Sequence, residues 1–436
     1  MSIELDELSR IGFGGYRVSI GSAEHARALT HALRSGCNLI DTSANYMNGE
    51  SELLIGKVLS ENPDLDAFVV TKAGYIQGDN LNVIAELNRS GLAREGLISF
   101  SEDYQYSIHP DFLRSQLELS CGRLQRDRID GFLLHNPEHY FAQNTDDISP
   151  DEFYTMITGA FEFLEEMVAA GIIRYYGISS NTFPASTEAE NTTNLHRVVE
   201  IARMISSSHH FKLIQFPFNL IERQALESHH GEMSVIDAAR SYGIVTFSNR
   251  PINARRDNQV IRLALYDDEV QTCDDDEAQK IFDTCVDLIQ QQLIQEGEEG
   301  TPMDYTPMRF LRDAWTTIST PELVASIFQT RIYPFLDALY NGPLPENVAM
   351  SFVRLQYYAT LYAKKAMTEQ SRAVRRQLAR SGSIRGDDTR SFTQVACDYC
   401  LSSGIDHVLA GMKRVAYVDD LKQLFQRGAM SGKMAS

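Results

Sequence analysis

The chain is poor in cysteine. Six cysteines among 436 residues cannot build a disulfide framework, so stability must come from a core. The single CxxC, Cys397 and Cys400, lies in Thr393-Gln-Val-Ala-Cys-Asp-Tyr-Cys-Leu401. That stretch reads as a helix with both cysteines on or near its apolar face. A structural zinc site takes about four ligands and no second CxxC exists, so buried small residues are expected and no metal. Long apolar runs are also missing. No stretch reaches the 18 residues of a membrane-spanning helix, and the N-terminus lacks the charged-then-apolar layout of a secretion signal. A soluble cytoplasmic protein is expected. Positive charge is scarce too: 40 Lys and Arg stand against 59 Asp and Glu, a formal net charge of −19 and an isoelectric point near 5.0. That disfavours nucleic acid and anionic membranes as partners. A small-molecule ligand remains, with homo-oligomerisation open.

The first 250 residues alternate strand and helix. Ser22 is placed to cap a helix carrying Ala26, Leu29 and Leu33, and Gly36 to end it. The run Asn38–Asp41 follows as a strand, then a helix from Ser51. Phe68–Lys72, Ile129–Leu134, Ile173–Ser179, Lys212–Phe216 and Gly243–Ser248 read as further strands. The helices between them are striped at spacings of three and four. His407–Gly411 is the last strand, between helices Thr393–Ser402 and Val415–Gln426. With the strand-like Arg10–Tyr16 at the start, about eight βα units predict an α/β fold, a closed (β/α)8 TIM barrel. Barrels of this kind carry their chemistry at the C-terminal strand ends, where Asp41, Lys72, His135, Ser179, Gln215 and Asn249 fall.

Alternation stops between Pro251 and about Arg390, far longer than the usual ~2–6-residue connection. Helical stripes continue there: Ile281, Val286, Ile289 and Leu293; Leu323, Ile327 and Phe335; Phe352, Leu355, Tyr358, Tyr362 and Ala366. The expected organisation is a barrel over 1–255 and 390–436. A mostly helical insertion, 256–389, sits between strand seven and the last barrel helix. The acidic run Asp274-Asp-Asp-Glu277 reads as a solvated face or helix start. An insertion at this point emerges at the catalytic face, which favours a lid or specificity wall.

Four titratable residues suit carbonyl chemistry. A carbonyl that accepts a hydride becomes an oxyanion and needs a proton. Tyr46 can supply one, but an ordinary tyrosine pKa of ~10 makes it a weak acid. Lys72 beside it is expected to lower that pKa. Asp41 can hold the lysine, and His135 can donate a hydrogen bond to the carbonyl.

These residues sit in Gly36-Cys-Asn-Leu-Ile-Asp-Thr-Ser-Ala-Asn-Tyr46, Gly49-Glu-Ser-Glu52, Val70-Thr-Lys72, and Ser120-Cys-Gly-Arg-Leu124 with Asp130 and Leu134-His135. Further matches are Gly177-Ile-Ser-Ser-Asn181, Ile214-Gln-Phe-Pro-Phe-Asn219 and Gly411-Met-Lys-Arg414. Together they resemble the aldo-keto reductase superfamily over roughly residues 8–255 and 390–427. The resemblance implies a barrel that binds a nicotinamide cofactor without a Rossmann domain. It implies Asp41, Tyr46, Lys72 and His135 as the catalytic set, with Tyr46 as proton donor. It also implies Ser180, Asn181 and Gln215 at the nicotinamide carboxamide, and Gly411, Lys413 and Arg414 near the adenosine phosphate. Adjacent cations favour NADPH, with NAD also open. Many members place an aromatic residue where this chain has Asn249, a further cofactor-contact candidate.

The expected activity is NAD(P)H-dependent reduction of an aldehyde or ketone, sugar-like or anionic. Tyr16, Arg17 and Arg250 are candidate substrate contacts. Arg255 and Arg256 also follow strand seven. The alternative is a cofactor-binding regulatory or partner-binding subunit of the same fold with little turnover.

Overall fold

The computed structural model describes residues 3–78, 80–82, 85, 96–141, 148–185, 191–228, 233–257, 259–271 and 273–426. The chain divides into two compact units, Met1–Val260 with Thr393–Ser436, and Ile261–Phe392.

The first unit is a closed parallel barrel. Its strands are β1 (Ile11–Gly14), β2 (Leu39–Asp41), β3 (Phe68–Ala73), β4 (Ile129–His135), β5 (Ile173–Ser179), β6 (Phe211–Pro217), β7 (Val245–Asn249) and β8 (His407–Ala410). They follow one another around the ring, and β8 closes on β1. Leu39, Val70, Leu133, Leu213, Phe247 and Leu409 meet inside as one buried cluster. The interior is therefore a packed core, and only the rims are left for chemistry. Gly177 shows how tight the wall is: a Cβ there would lie 1.8 Å from the Leu213 carbonyl oxygen.

Local signals act as the pattern requires. Ser22 caps helix Ala23–Arg34 by accepting from the His25 N–H. Pro110 opens Pro110–Leu124, and Ser149 and Glu152 form a reciprocal capping box on Pro150–Ala169. Cys397 and Cys400 are buried. The Cys400 thiol donates to the carbonyls of Ala396 and Phe218, and burial raises its pKa to about 12, so it stays protonated. Between β3 and Pro110, where the sequence reading assigned nothing, Tyr75–Ile76, Ile98–Ser101 and Tyr104–Tyr106 form a small antiparallel sheet. Its strands, two to four residues long, are too short to carry a periodic signal.

The second unit is helical, with its own core around Ile289, Leu293, Phe328, Phe352 and Leu355. Trp315 stacks on Phe282 with parallel rings 5.7 Å apart. Asp274 accepts from the N–H groups of Asp276 and Glu277 and so caps helix Asp275–Glu296. The acidic run is thus a helix start, favourable against the helix dipole. Two striped positions fail. Leu323 is 46% exposed and Ala366 is exposed. A π-turn at Phe328–Ile332 interrupts the stripe after Ile327 and rotates the later residues relative to Leu323. Among the described residues no helix is long and apolar enough to cross a membrane.

Candidate active site

Strand register assembles the site. Asp41 on β2 pairs with Val70 on β3. Lys72, two residues on, shares Val70's face and rises one step nearer the rim. On the other side His135, Ser179 and Gln215 stand in register across β4, β5 and β6. Tyr46 arrives from the turn after β2, where Met47 and Asn48 take positive φ of 51° and 55°.

Lys72 is fully buried, and its ammonium has three donors to place. One goes to Asp41 Oδ1 at 2.7 Å, one to the Thr42 carbonyl at 2.8 Å, and one to the Tyr46 hydroxyl oxygen at 3.3 Å. Asp41 also accepts from Gln215 Nε2 at 2.8 Å. Because Lys72 donates to Tyr46, the phenolic hydrogen is not consumed by the pair. The His135 ring lies edge-on to Tyr46, centroids 6.0 Å apart, and its Nδ1 is 3.1 Å from Ser43 Oγ. These four side chains therefore meet in space.

The electrostatics depart from one expectation. Lys72 was expected to lower the Tyr46 pKa. Instead burial, then the Asp41 charge, hold it well above the ordinary 10. The Asp41 carboxylate neutralises Lys72 at contact distance, so the tyrosine faces a pair instead of a bare cation. Burial pushes the Lys72 pKa down, and Asp41 opposes that. Burial, then Lys72 and His139, hold His135 well below 6.5. At neutral pH the site thus offers a loaded phenol and a neutral imidazole.

The other candidates are more dispersed. Ser180 Oγ bonds Thr182 Oγ1 at 2.9 Å, and both the backbone and side-chain amides of Asn181 donate to Glu138. Gln215 Oε1 receives Ser179 Oγ at 3.1 Å and Asn249 Nδ2 at 3.3 Å, so Gln215 links Asp41 to β5 and β7. Asn249 Oδ1 is buried and has no hydrogen-bond partner among the described residues. Gly411 and Lys413 are exposed, and Arg414 reaches Glu24 at 3.5 Å. Tyr16 packs edge-on against Tyr46 at 5.2 Å and carries Arg17 over its ring at 5.0 Å. Arg250 pairs with Glu222 at 3.0 Å, and the Arg255 N–H donates to the same carboxylate. Arg17, Asn136 and Arg250 all take positive φ just past strand ends. Such backbone strain persists only where the surroundings hold it.

Sequence reasoning did not single out Tyr75, Ser43 or Glu138. Tyr75 lies 4.7 Å from His135 ring to ring and accepts from Asn136 Nδ2 at 2.6 Å. Its signal was weak, a lone aromatic one residue past Gly74. Ser43 sat unread between Asp41 and Tyr46. Glu138 was visible only as the acid ending the His135-Asn-Pro-Glu138 run. By contrast Glu52 is structural: fully buried, it accepts from Thr71 Oγ1 at 2.5 Å and Arg123 Nε at 2.6 Å.

The family described as "Aldo/keto reductase family" matches residues 10–254. A D-threo-aldose 1-dehydrogenase of Pseudomonas sp is 26% identical over 200 residues, 44% of this chain and 56% of that protein. An NADH-specific methylglyoxal reductase of Escherichia coli is 26% identical over 184 residues, 40% of this chain and 48% of that protein. The chain thus spans about half the length of these curated relatives. A solved glycerol dehydrogenase of Gluconobacter oxydans is 18% identical, with a TM-score of 0.48 over 96% of this chain and 87% of that one. The family match covers more than half of the chain and spans β1 to β7 with all four clustered residues, so this protein belongs to the aldo/keto reductase family.

Proposed function

We propose that the protein reduces an aldehyde or ketone to an alcohol at the expense of NADPH or NADH, with Tyr46 as proton donor. The observation that carries this reading is the direction of the Lys72–Tyr46 hydrogen bond. Lys72 donates, so the phenolic hydrogen is available to a substrate oxygen.

The residues present fit a nicotinamide cofactor. Asn249 Oδ1 is a buried acceptor with no partner among the described residues, suited to a carboxamide N–H. It stands beside Gln215, whose own acceptor is filled by Ser179 and Asn249. Ser180 and Asn181 lie one and two residues past the end of β5. A Cβ at Gly411 would meet nothing within 4 Å, leaving room beside Lys413 and Arg414 for a phosphate. When bound, the reduced cofactor supplies a hydride to the carbonyl carbon. The chain's own part is to hold the carbonyl oxygen between Tyr46 and His135 and to protonate the alkoxide from Tyr46. Lys72 and Asp41 hold the phenol in place. The resulting tyrosinate lies against Lys72, which stabilises it until a proton returns.

The relatives named for an aldose and for methylglyoxal make small polar carbonyls the first substrates to try. An anionic substrate is less well supported at Arg250, whose guanidinium is paired with Glu222. The test is cofactor oxidation against a panel of hydroxy-aldehydes, 2-oxoaldehydes and carboxylated carbonyls, with NADPH and NADH in parallel. Turnover of at least one class supports the reading. Tight cofactor binding with no turnover of any class contradicts it.

A further inference from the structure

Neutral imidazole carries one N–H, and the active-site reading above needs that hydrogen on the side facing the carbonyl. Within the protein, Nδ1 of His135 is engaged, at 3.1 Å from Ser43 Oγ. If Nδ1 carries the hydrogen, Nε2 presents a lone pair and repels a carbonyl oxygen. If Nδ1 accepts, Nε2–H is a donor. The choice rests on where the single Ser43 hydroxyl hydrogen points.

Ser43 is buried and has three polar neighbours. They are His135 Nδ1, the Lys72 carbonyl oxygen at 3.2 Å and Asn45 Oδ1 at 2.7 Å, and with the amide so placed Ser43 Oγ donates to that oxygen. The Lys72 carbonyl already accepts from the Ala44 N–H at 3.1 Å, so it does not require the serine hydrogen. A half-turn of the Asn45 amide leaves its shape unchanged and presents Nδ2 to Ser43 Oγ instead of Oδ1. Each donor then finds one acceptor along Asn45 Nδ2–H, Ser43 Oγ–H, His135 Nδ1, and Nε2–H is left for the substrate. The opposite arrangement sends the serine hydrogen to Asn45 Oδ1 and draws the Nδ1 hydrogen toward Ser43.

We propose that Ser43, oriented by Asn45, is a positioning residue that fixes His135 as the Nε2–H tautomer and so makes it a donor to the substrate carbonyl. The catalytic benefit rests on the function proposed above, whereas the tautomer itself does not. Polarised chains of this kind strengthen each member.

Long-range proton–nitrogen NMR on 15N-histidine protein at neutral pH, without substrate, reads the tautomer directly. The His135 signals, among 11 histidines, are assigned by their loss in His135→Gln. Wild type is expected as Nε2–H. Ser43→Ala is expected to give a mixture or the Nδ1–H form. Asn45→Asp presents only acceptors to Ser43, so it is expected to shift His135 to Nδ1–H. It reads the same chain if the alanine variant fails to fold. In turnover, Ser43→Ala is expected to lower kcat about tenfold with a smaller change in KM. An Nδ1–H wild type, or a tautomer unmoved in both Ser43→Ala and Asn45→Asp, overturns the proposal. Tyr46→Phe is the control. Retained turnover in that variant overturns the catalytic reading and leaves a shifted tautomer standing, so the two failures are told apart.

Discussion

Lys72 Nζ lies 2.7 Å from Asp41 Oδ1, and both side chains are buried. A buried cation is tolerated here only because its three donors are met. Asp41→Asn leaves that cation without its counter-charge, and a broken buried pair costs about 3–5 kcal/mol. Urea unfolding of Asp41→Asn is expected to show a loss of that order. The double variant Asp41→Asn/Lys72→Met is expected to recover much of it, since no unpaired charge remains. Equal losses in the single and double variants contradict this account.

Tyr46 is held well above the ordinary tyrosine pKa of 10 by burial and by Asp41. The phenol therefore stays protonated through neutral and mildly alkaline pH. At saturating cofactor, kcat for reduction is expected to show no alkaline fall from neutral pH to about 9. A fall governed by an apparent pKa below about 8, absent in Tyr46→Phe, contradicts the assignment.

His135 is buried neutral, with its pKa well below 6.5. The unfolded chain then binds the extra proton first as pH falls. Stability from this group is complete above about 6.5 and declines as pH drops from there toward the folded value. The slope is up to about 1.4 kcal/mol per pH unit. His25, His139 and His209 are also lowered, so the quantity to measure is a difference. Chemical denaturation from pH 7 downward is expected to show a shallower acid loss in His135→Gln than in wild type. Identical slopes contradict a buried neutral imidazole.

The barrel was legible because most strands are short apolar runs that stop at a polar residue, and Ser22, Ser149, Asn194 and Ser234 each cap a following helix. Ile173–Ser179 was read with the bounds it has in the structure. Asp41, Lys72 and His135 were legible for the same reason: a titratable group ending an apolar strand is visible in one dimension. What depends on partners was not. The direction of the Tyr46 shift follows from Lys72 being neutralised by Asp41 at contact distance, and sequence gives no distances. Arg250 read as a candidate substrate contact, and Glu222, 28 residues earlier in sequence, pairs with its guanidinium. Leu323 fitted a stripe that a π-turn breaks five residues on.

Cofactor choice can be weighed by binding alone. Lys413 and Arg414 are proposed to meet a phosphate beside Gly411. Lys413→Ala and Arg414→Ala are expected to weaken NADPH at least tenfold and NADH much less, by fluorescence titration. Equal weakening of both cofactors assigns these cations to the phosphates that NADPH and NADH share, and sinks the preference for NADPH.

The central claim is that Tyr46 supplies the proton that follows hydride transfer. It is tested most directly by single-turnover reduction of an accepted carbonyl, with Tyr46→Phe beside wild type and cofactor affinity measured in both. The expected result is a loss of about 100- to 10,000-fold in the reductive rate with cofactor affinity unchanged within a few-fold. A Tyr46→Phe rate equal to wild type would contradict the account.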